Sequence, residues 1–221
     1  YHGTRASFLP HIAVHGIKPR THKKRGNWKH TVPSNSRAVY LTAGYALYFA
    51  VNALPAKSLM NRTAVVLEVD TDKLDPLLLL PDEDAVEQTS RGWDDLPKDW
   101  SMLKRTLWYR KNMQGFIGTD AWEKSVKALG TAAYWGTIPA KAITRTAVVD
   151  LSIIDPHFVI ASLDPTITTM NWKLCGAKYK NLTRFLFGDP LAPDENDLLP
   201  HADWLAHVSR DGIEVFGPLE D

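Results

Sequence analysis

Cysteine is almost absent. A lone Cys175 cannot close an internal disulfide, so the 221-residue chain holds its fold without such staples, and a reducing, cytoplasmic setting is the expectation. Long apolar runs are missing as well. The longest, Leu41 to Ala56, is interrupted by Gly44, Asn52 and Pro55 and is too short to span a bilayer. No leader-like segment is visible, and no membrane partner is expected. Neither sign of charge prevails. With 26 basic and 25 acidic side chains the net charge is +1, so no global field draws the protein to nucleic acid or a lipid surface. Internal repeats are absent, and so are the P-loop, GxGxxG, GxSxG and HExxH signatures. The eight histidines are scattered, with no pair at metal-ligand spacing beside a carboxylate, and Cys175 has no CxxC partner.

What is present is an ordinary globular composition. Hydrophobic residues make up 44% and charged residues 23%, enough to bury a sizeable core. Eight tryptophans are many for this length. They are costly to leave in water, so several are expected in the core and one or two in a binding groove.

The apolar pattern marks out the elements. Ser7 to His15 has helical spacing and stops at Gly16. Lys18 to His30 is a basic run, read as a solvated loop with anion binding as the alternative. Ala38 to Thr42 is a short strand that leads into an aromatic helix, Gly44 to Ala53, and Thr63 to Val69 is a buried strand. Asp70 to Pro81 carries turn signals, and Arg91 to Asp99 reads as a loop. Asp120 to Leu129 is a helix with Asp120 as N-cap and Gly130 as its stop. Thr131 to Trp135 and Thr144 to Leu151 are strands, followed by weaker strand signals at Phe158 to Leu163 and Thr166 to Leu174 and a helix at Pro200 to Ser209. The alternation has no regular βαβ length, so the class expected is α+β. The acidic triplet Asp82-Glu83-Asp84 reads as a helix N-terminus, where the dipole favours carboxylates, with a divalent cation as the other use of such a cluster.

One ordered series stands out: Tyr1-His2-Gly3-Thr4, Ile12, Gly16-Ile17, Val39-Tyr40-Leu41-Thr42, Val65-Val66-Leu67-Glu68-Val69-Asp70 and Ile138-Pro139. It resembles the ADP-ribosyltransferase superfamily, in particular the HGT-containing branch of the RNA 2′-phosphotransferases, related to the poly(ADP-ribose) polymerases. The resemblance covers residues 1–150 and implies a split β-sheet core with flanking helices that binds NAD as co-substrate. Residues 151–221 match nothing in it and are expected as an extension packed on the same domain.

The resemblance also implies roles. The Gly3 backbone would pair with the nicotinamide amide, a glycine letting the main chain approach the ring. His2 would bond the adjacent ribose, and Thr4 and Thr42 complete the cofactor-binding set. Tyr45 or Tyr48 would stack on the nicotinamide. Tyr40 corresponds to the tyrosine of the polymerase His-Tyr-Glu set. Arg5, or the basic loop at Arg20 to Arg25, would pair with the pyrophosphate. Cleavage through a ribosyl cation-like state needs orientation and electrostatic stabilisation more than a strong nucleophile. The strand that should carry the glutamate has Thr131 and Ala132 there, neither acidic. The candidates for its work are Glu87 and Gln88, from a loop, and Thr131. The 2′-phosphotransferases lack that glutamate too, so activity does not depend on it. Their basic N-terminal lobe has no counterpart from Tyr1 onward, which makes stand-alone mono-ADP-ribosyl transfer the first expectation, as in a toxin or a phage-related modifier. RNA 2′-phosphate processing and a catalytically silent NAD- or ADP-ribose-binding module are the alternatives.

For the macromolecular acceptor, nucleic acid is favoured over protein. Lys23 to Lys29, Lys104 to Lys111 and Asn171 to Arg184 interleave cations that neutralise phosphates with rings that stack bases. The competing reading is an amphipathic surface with snorkelling cations.

Overall fold

The structure, a computed structural model, describes residues 1–20, 34–53, 63–87, 96–97, 99–153, 182–191 and 209–219. The protein is α+β, with two antiparallel sheets. The first has strand order β1-β3-β6-β7, from β1 (His2–Arg5), β3 (Thr63–Val69), β6 (Ile143–Asp150) and β7 (Ile213–Phe216). The second has order β2-β5-β4, from β2 (Ala38–Thr42), β5 (Thr131–Trp135) and β4 (Leu79–Pro81). The helices are α1 (Leu9–His15), α2 (Ala46–Asn52), α3 (Glu83–Glu87), α4 (Met102–Asn112), α5 (Ala121–Leu129) and α6 (182–187). Among the described residues, no helix is long and apolar enough to cross a membrane.

β3 is the spine of the first sheet. Its run Ala64-Val65-Val66-Leu67 is fully buried because both faces are covered. One face, with Ala64 and Val66, packs under α2 and α6; the other, with Val65 and Leu67, packs toward the second sheet. Gly3 is what lets α2 lie down on β1. A side chain there would overlap the Ala46 carbonyl and the Ala50 nitrogen. Gly16 ends α1 at φ 71° and Gly130 ends α5 in the left-handed region at φ 75°, as a helix stop requires. Asp120 occupies the N-cap position of α5 but makes no capping bond with its side chain.

The chain beyond residue 150 contributes to this core. β7 pairs with β6, and Leu182, Phe185 and Leu186 of α6 join the cluster under α2. A charged clamp secures the contact. Arg145 on β6 makes two-pronged bonds to Glu68 on β3 (2.6 and 2.7 Å) and to Asp189 after α6 (2.7 and 2.8 Å). Its guanidinium lies 4.7 Å above the Phe187 ring, on which Tyr1 stacks.

Four tryptophans fall among the described residues, and none is fully buried. Trp100, Trp108, Trp122 and Trp135 are half-buried at cluster edges, where a large ring covers apolar surface. Trp28, Trp93, Trp172 and Trp204 lie outside the described residues, as do the strand readings at 158–163 and 166–174, all but the last residue of the helix reading at 200–209 and most of the basic loop from Lys18.

Candidate functional site

The edges of the two sheets meet at a seam. β1 is the edge strand of the first sheet and β2 of the second. They touch through one reciprocal pair: Tyr1 N donates to Thr42 O at 2.8 Å and Thr42 N donates to Tyr1 O at 2.9 Å. From there the ladders diverge, β1 following β3 and β2 following β5. Main-chain groups of alternate residues in a strand point to the same edge. Gly3, two residues after Tyr1, and Tyr40, two before Thr42, therefore turn their N–H and C=O groups into the gap where the strands part.

His2 closes that gap. Its Nδ1 lies 3.0 Å from Tyr40 O. A carbonyl oxygen only accepts, so Nδ1 carries the proton and a neutral ring leaves Nε2 as an acceptor. Burial lowers the His2 pKa below the usual histidine value, against a smaller opposing effect of the Tyr40 bond. The ring is thus neutral at pH 7, and its free nitrogen can take a proton in a hydrogen bond from a ligand hydroxyl.

Tyr40 is held at its other end. Its O–H donates to Glu83 Oε2 at 2.6 Å and its oxygen accepts from Asn35 N at 2.7 Å. The same Asn35 N–H reaches Glu83 Oε1 at 2.8 Å. Next to Glu83, the buried Asp82 accepts from Asp84 N at 3.0 Å. Desolvation, with the neighbouring charges of Asp84 and Glu83, pushes the Asp82 carboxyl up to about 8. Ser125 on α5 ties this corner to β5, its hydroxyl accepting from Asp82 N at 2.9 Å and donating to Thr131 O at 2.8 Å.

The seam brings some of the residues named by the sequence together and sends others elsewhere. His2, Gly3 and Tyr40 meet in it. Thr4 is buried on β1. Thr42 pairs with Thr131 across the β2–β5 ladder, and its hydroxyl accepts from Gly44 N and Tyr45 N in the turn that leads into α2. Tyr45 is 8% exposed inside the cluster under α2, whereas Tyr48 is half-buried at its margin. The Arg5 guanidinium sits 4.4 Å over the Phe8 ring, and its buried Nε has no hydrogen-bond partner among the described residues. Thr131 is buried. Its hydroxyl makes no hydrogen bond of good geometry there, although it lies near enough to Asp82 to offset slightly the rise in that pKa. Glu87 ends α3, and its side chain lies outside the described residues, as does Gln88 entirely.

Glu83 at the Tyr40 hydroxyl is the feature that sequence reasoning missed. The visible signal was the apolar run Leu77 to Leu80 leading straight into Asp82-Glu83, which places acids at a buried strand end. Among the described residues, no group of three or more His, Cys, Asp and Glu is placed to hold a metal ion.

On α4, the cations and rings part company. Lys104 and Lys111 are exposed, Tyr109 is buried with its hydroxyl donating to Pro81 O at 2.6 Å, and Trp108 packs edge-on to Phe116. Lys104 lies 4.2 Å above the Trp100 ring. The two lysines face solvent, whereas Arg105 and Tyr109 are engaged within the protein.

Compared with protein-family models, curated proteins and solved structures, the chain has no significant match.

Proposed function

We propose that the seam between β1 and β2 binds NAD and that the protein is a mono-ADP-ribosyltransferase of the split-sheet kind, passing ADP-ribose to a macromolecule with release of nicotinamide. The observation that carries this reading is the His2 bridge: an imidazole fixed by Tyr40 O, with Nε2 unprotonated, beside a glycine whose main-chain groups face the same gap. An amide such as that of nicotinamide presents an N–H donor beside a C=O acceptor, matching Gly3 C=O and N–H. A ribose hydroxyl would donate to His2 Nε2. Arg5, with an unpaired buried Nε, is the cation for the pyrophosphate. In this reading His2 and Gly3 orient the donor while its C1′–N bond breaks, and the acceptor nucleophile closes on the ribosyl cation-like centre. Nucleic acid is the acceptor favoured, on the exposed Lys104 and Lys111.

A second reading, NAD binding without turnover, is favoured by one observation: β5 begins Thr131-Ala132-Ala133 and carries no acid on its buried stretch. Labelled NAD offered with RNA, single-stranded DNA, duplex DNA and protein separates the two. Label on one pool together with free nicotinamide supports transfer. NAD bound without nicotinamide release supports the silent module. Consumption of a 2′-phosphorylated RNA together with NAD would instead select phosphate removal.

A further inference from the structure

Helix α1 carries two histidines one turn apart. His11 and His15 are both exposed, and their rings lie 4.5 Å from each other, centre to centre, at a tilt of 58°. The spacing follows from the helix, where residues four apart stand one above the other. The helix is held in place. Ile12 is buried in the core, Gly16 N donates to Ile12 O at 2.7 Å, and Ile17 exchanges backbone bonds with Ile138 at 2.8 and 3.0 Å. Two imidazoles bound side by side to one cation, at metal–nitrogen lengths of about 2.0–2.1 Å, hold their ring centres roughly 4.5–5 Å apart. The pair already has that separation, so closing on an ion needs side-chain rotation and no movement of the main chain. α1 has no carboxylate, so its donors are imidazole nitrogens. Imidazole suits zinc, nickel and copper, whereas calcium and magnesium take oxygen ligands. Lys18 lies near enough for its charge to lower the His15 pKa, which favours the neutral ring a metal needs; the same charge repels a cation and keeps the affinity modest.

We propose that His11 and His15 form a two-histidine chelate for a divalent transition-metal cation of the zinc, nickel and copper class, with water in the remaining positions. The site uses none of the seam residues and does not rest on the NAD reading. A bound ion bridges one turn of α1. It stabilises the folded protein by mass action, since the unfolded chain does not hold the two rings together.

The test is calorimetric titration of the wild-type protein, H11Q and H15Q with zinc chloride at neutral pH, with folding checked by circular dichroism and melting followed with and without zinc. Both positions are exposed, so glutamine is expected to leave the fold intact. The other histidines are common to all three proteins, so the difference between them reads the pair. The wild type is expected to bind one zinc ion that each variant binds roughly a hundredfold more weakly, because the second ring of a chelate acts at high effective concentration. Zinc should raise the melting temperature of the wild type more than that of either variant. A wild type that takes up no zinc overturns the inference. So does a folded H11Q or H15Q that keeps wild-type affinity, because a chelate needs both rings, and so does an equal rise in melting temperature in all three proteins. Each of those results leaves the two rings as a plain aromatic contact.

Discussion

The Tyr40 hydroxyl meets Glu83 Oε2 at 2.6 Å across 43 residues of sequence, joining β2 to the first turn of α3. This bond ties the second sheet to α3, and the acid is nearly inaccessible. Replacing Glu83 by alanine strips the acceptor from the Tyr40 O–H and one of two acceptors from Asn35 N–H. The expected cost is about 1–3 kcal/mol, the penalty for leaving a buried donor unmade. Urea unfolding of the E83A protein should show a lower midpoint with an unchanged slope; an unchanged midpoint would mean that the corner admits water freely.

Asp82 gives the protein a pH dependence of defined sign. Its carboxyl titrates near 8 in the folded state because of burial and the adjacent acids, well above its ordinary value of 3.8. The folded protein therefore holds a proton that the unfolded chain has lost. The stabilisation linked to that proton is complete below the unfolded value and disappears as pH rises through the folded one. Stability should fall between about pH 4 and pH 8 on this account. Asp82→Asn, which mimics the protonated form, should flatten that slope and melt higher than wild type at pH 8.5. A variant that melts lower there, with the slope intact, would contradict the assignment.

Gly3→Ala should be disruptive out of proportion to one methyl group. The atoms in its way are backbone atoms of α2, which cannot rotate aside as a side chain can. Overpacking of this kind costs about 1–3 kcal/mol, and here it must also part β1 from α2. Thermal melting should drop, and hydrogen exchange at Val66 and Ala50 should quicken. Wild-type stability in that variant would place α2 further from β1.

Much of this architecture was legible from the residues. The strands at 38–42 and 63–69 announce themselves as apolar, β-branched runs, and the strand at 131–135 as a short apolar and aromatic one; all three have the bounds read from sequence. Gly16 and Gly130 mark helix ends because only glycine takes their backbone conformation without strain. Other elements gave no local sign. β1 is four residues, His-Gly-Thr-Arg, with no alternation to read, and it is a strand because β3 offers it an edge. β4 lies inside a stretch full of turn signals; Asp70 and Asp75 cap two short helical turns there, and the leucines that follow pair with β5. α4 inverts the usual pattern: Met102, Leu103 and Leu107 are exposed while Arg105 is buried, bonding Val86 O and Pro97 O at 3.1 Å each. Of the residues the fold brings together at the seam, His2, Gly3 and Tyr40 were named by one ordered motif series. Glu83 was not, because its role is set by a contact between distant segments.

His2→Ala should separate binding geometry from fold. The imidazole bridges the two sheet edges at one point, while the Tyr1–Thr42 pair and both ladders remain without it. Melting should change by no more than about 1 kcal/mol, the worth of one net hydrogen bond. NAD turnover should fall roughly a hundredfold, as expected when a positioned hydrogen-bonding group is lost from a reaction centre. Full turnover in a folded His2→Ala protein would remove His2 from the site.

The most direct test of the seam as an NAD-consuming site is to incubate the wild-type protein and His2→Ala with NAD labelled in its ADP-ribose portion, together with RNA, DNA and protein acceptors, and to follow nicotinamide release and label transfer in the same samples. The account predicts nicotinamide release by the wild type, label on one acceptor class, and loss of both signals in a His2→Ala protein that still folds. No nicotinamide release and no NAD binding by the wild type would contradict it.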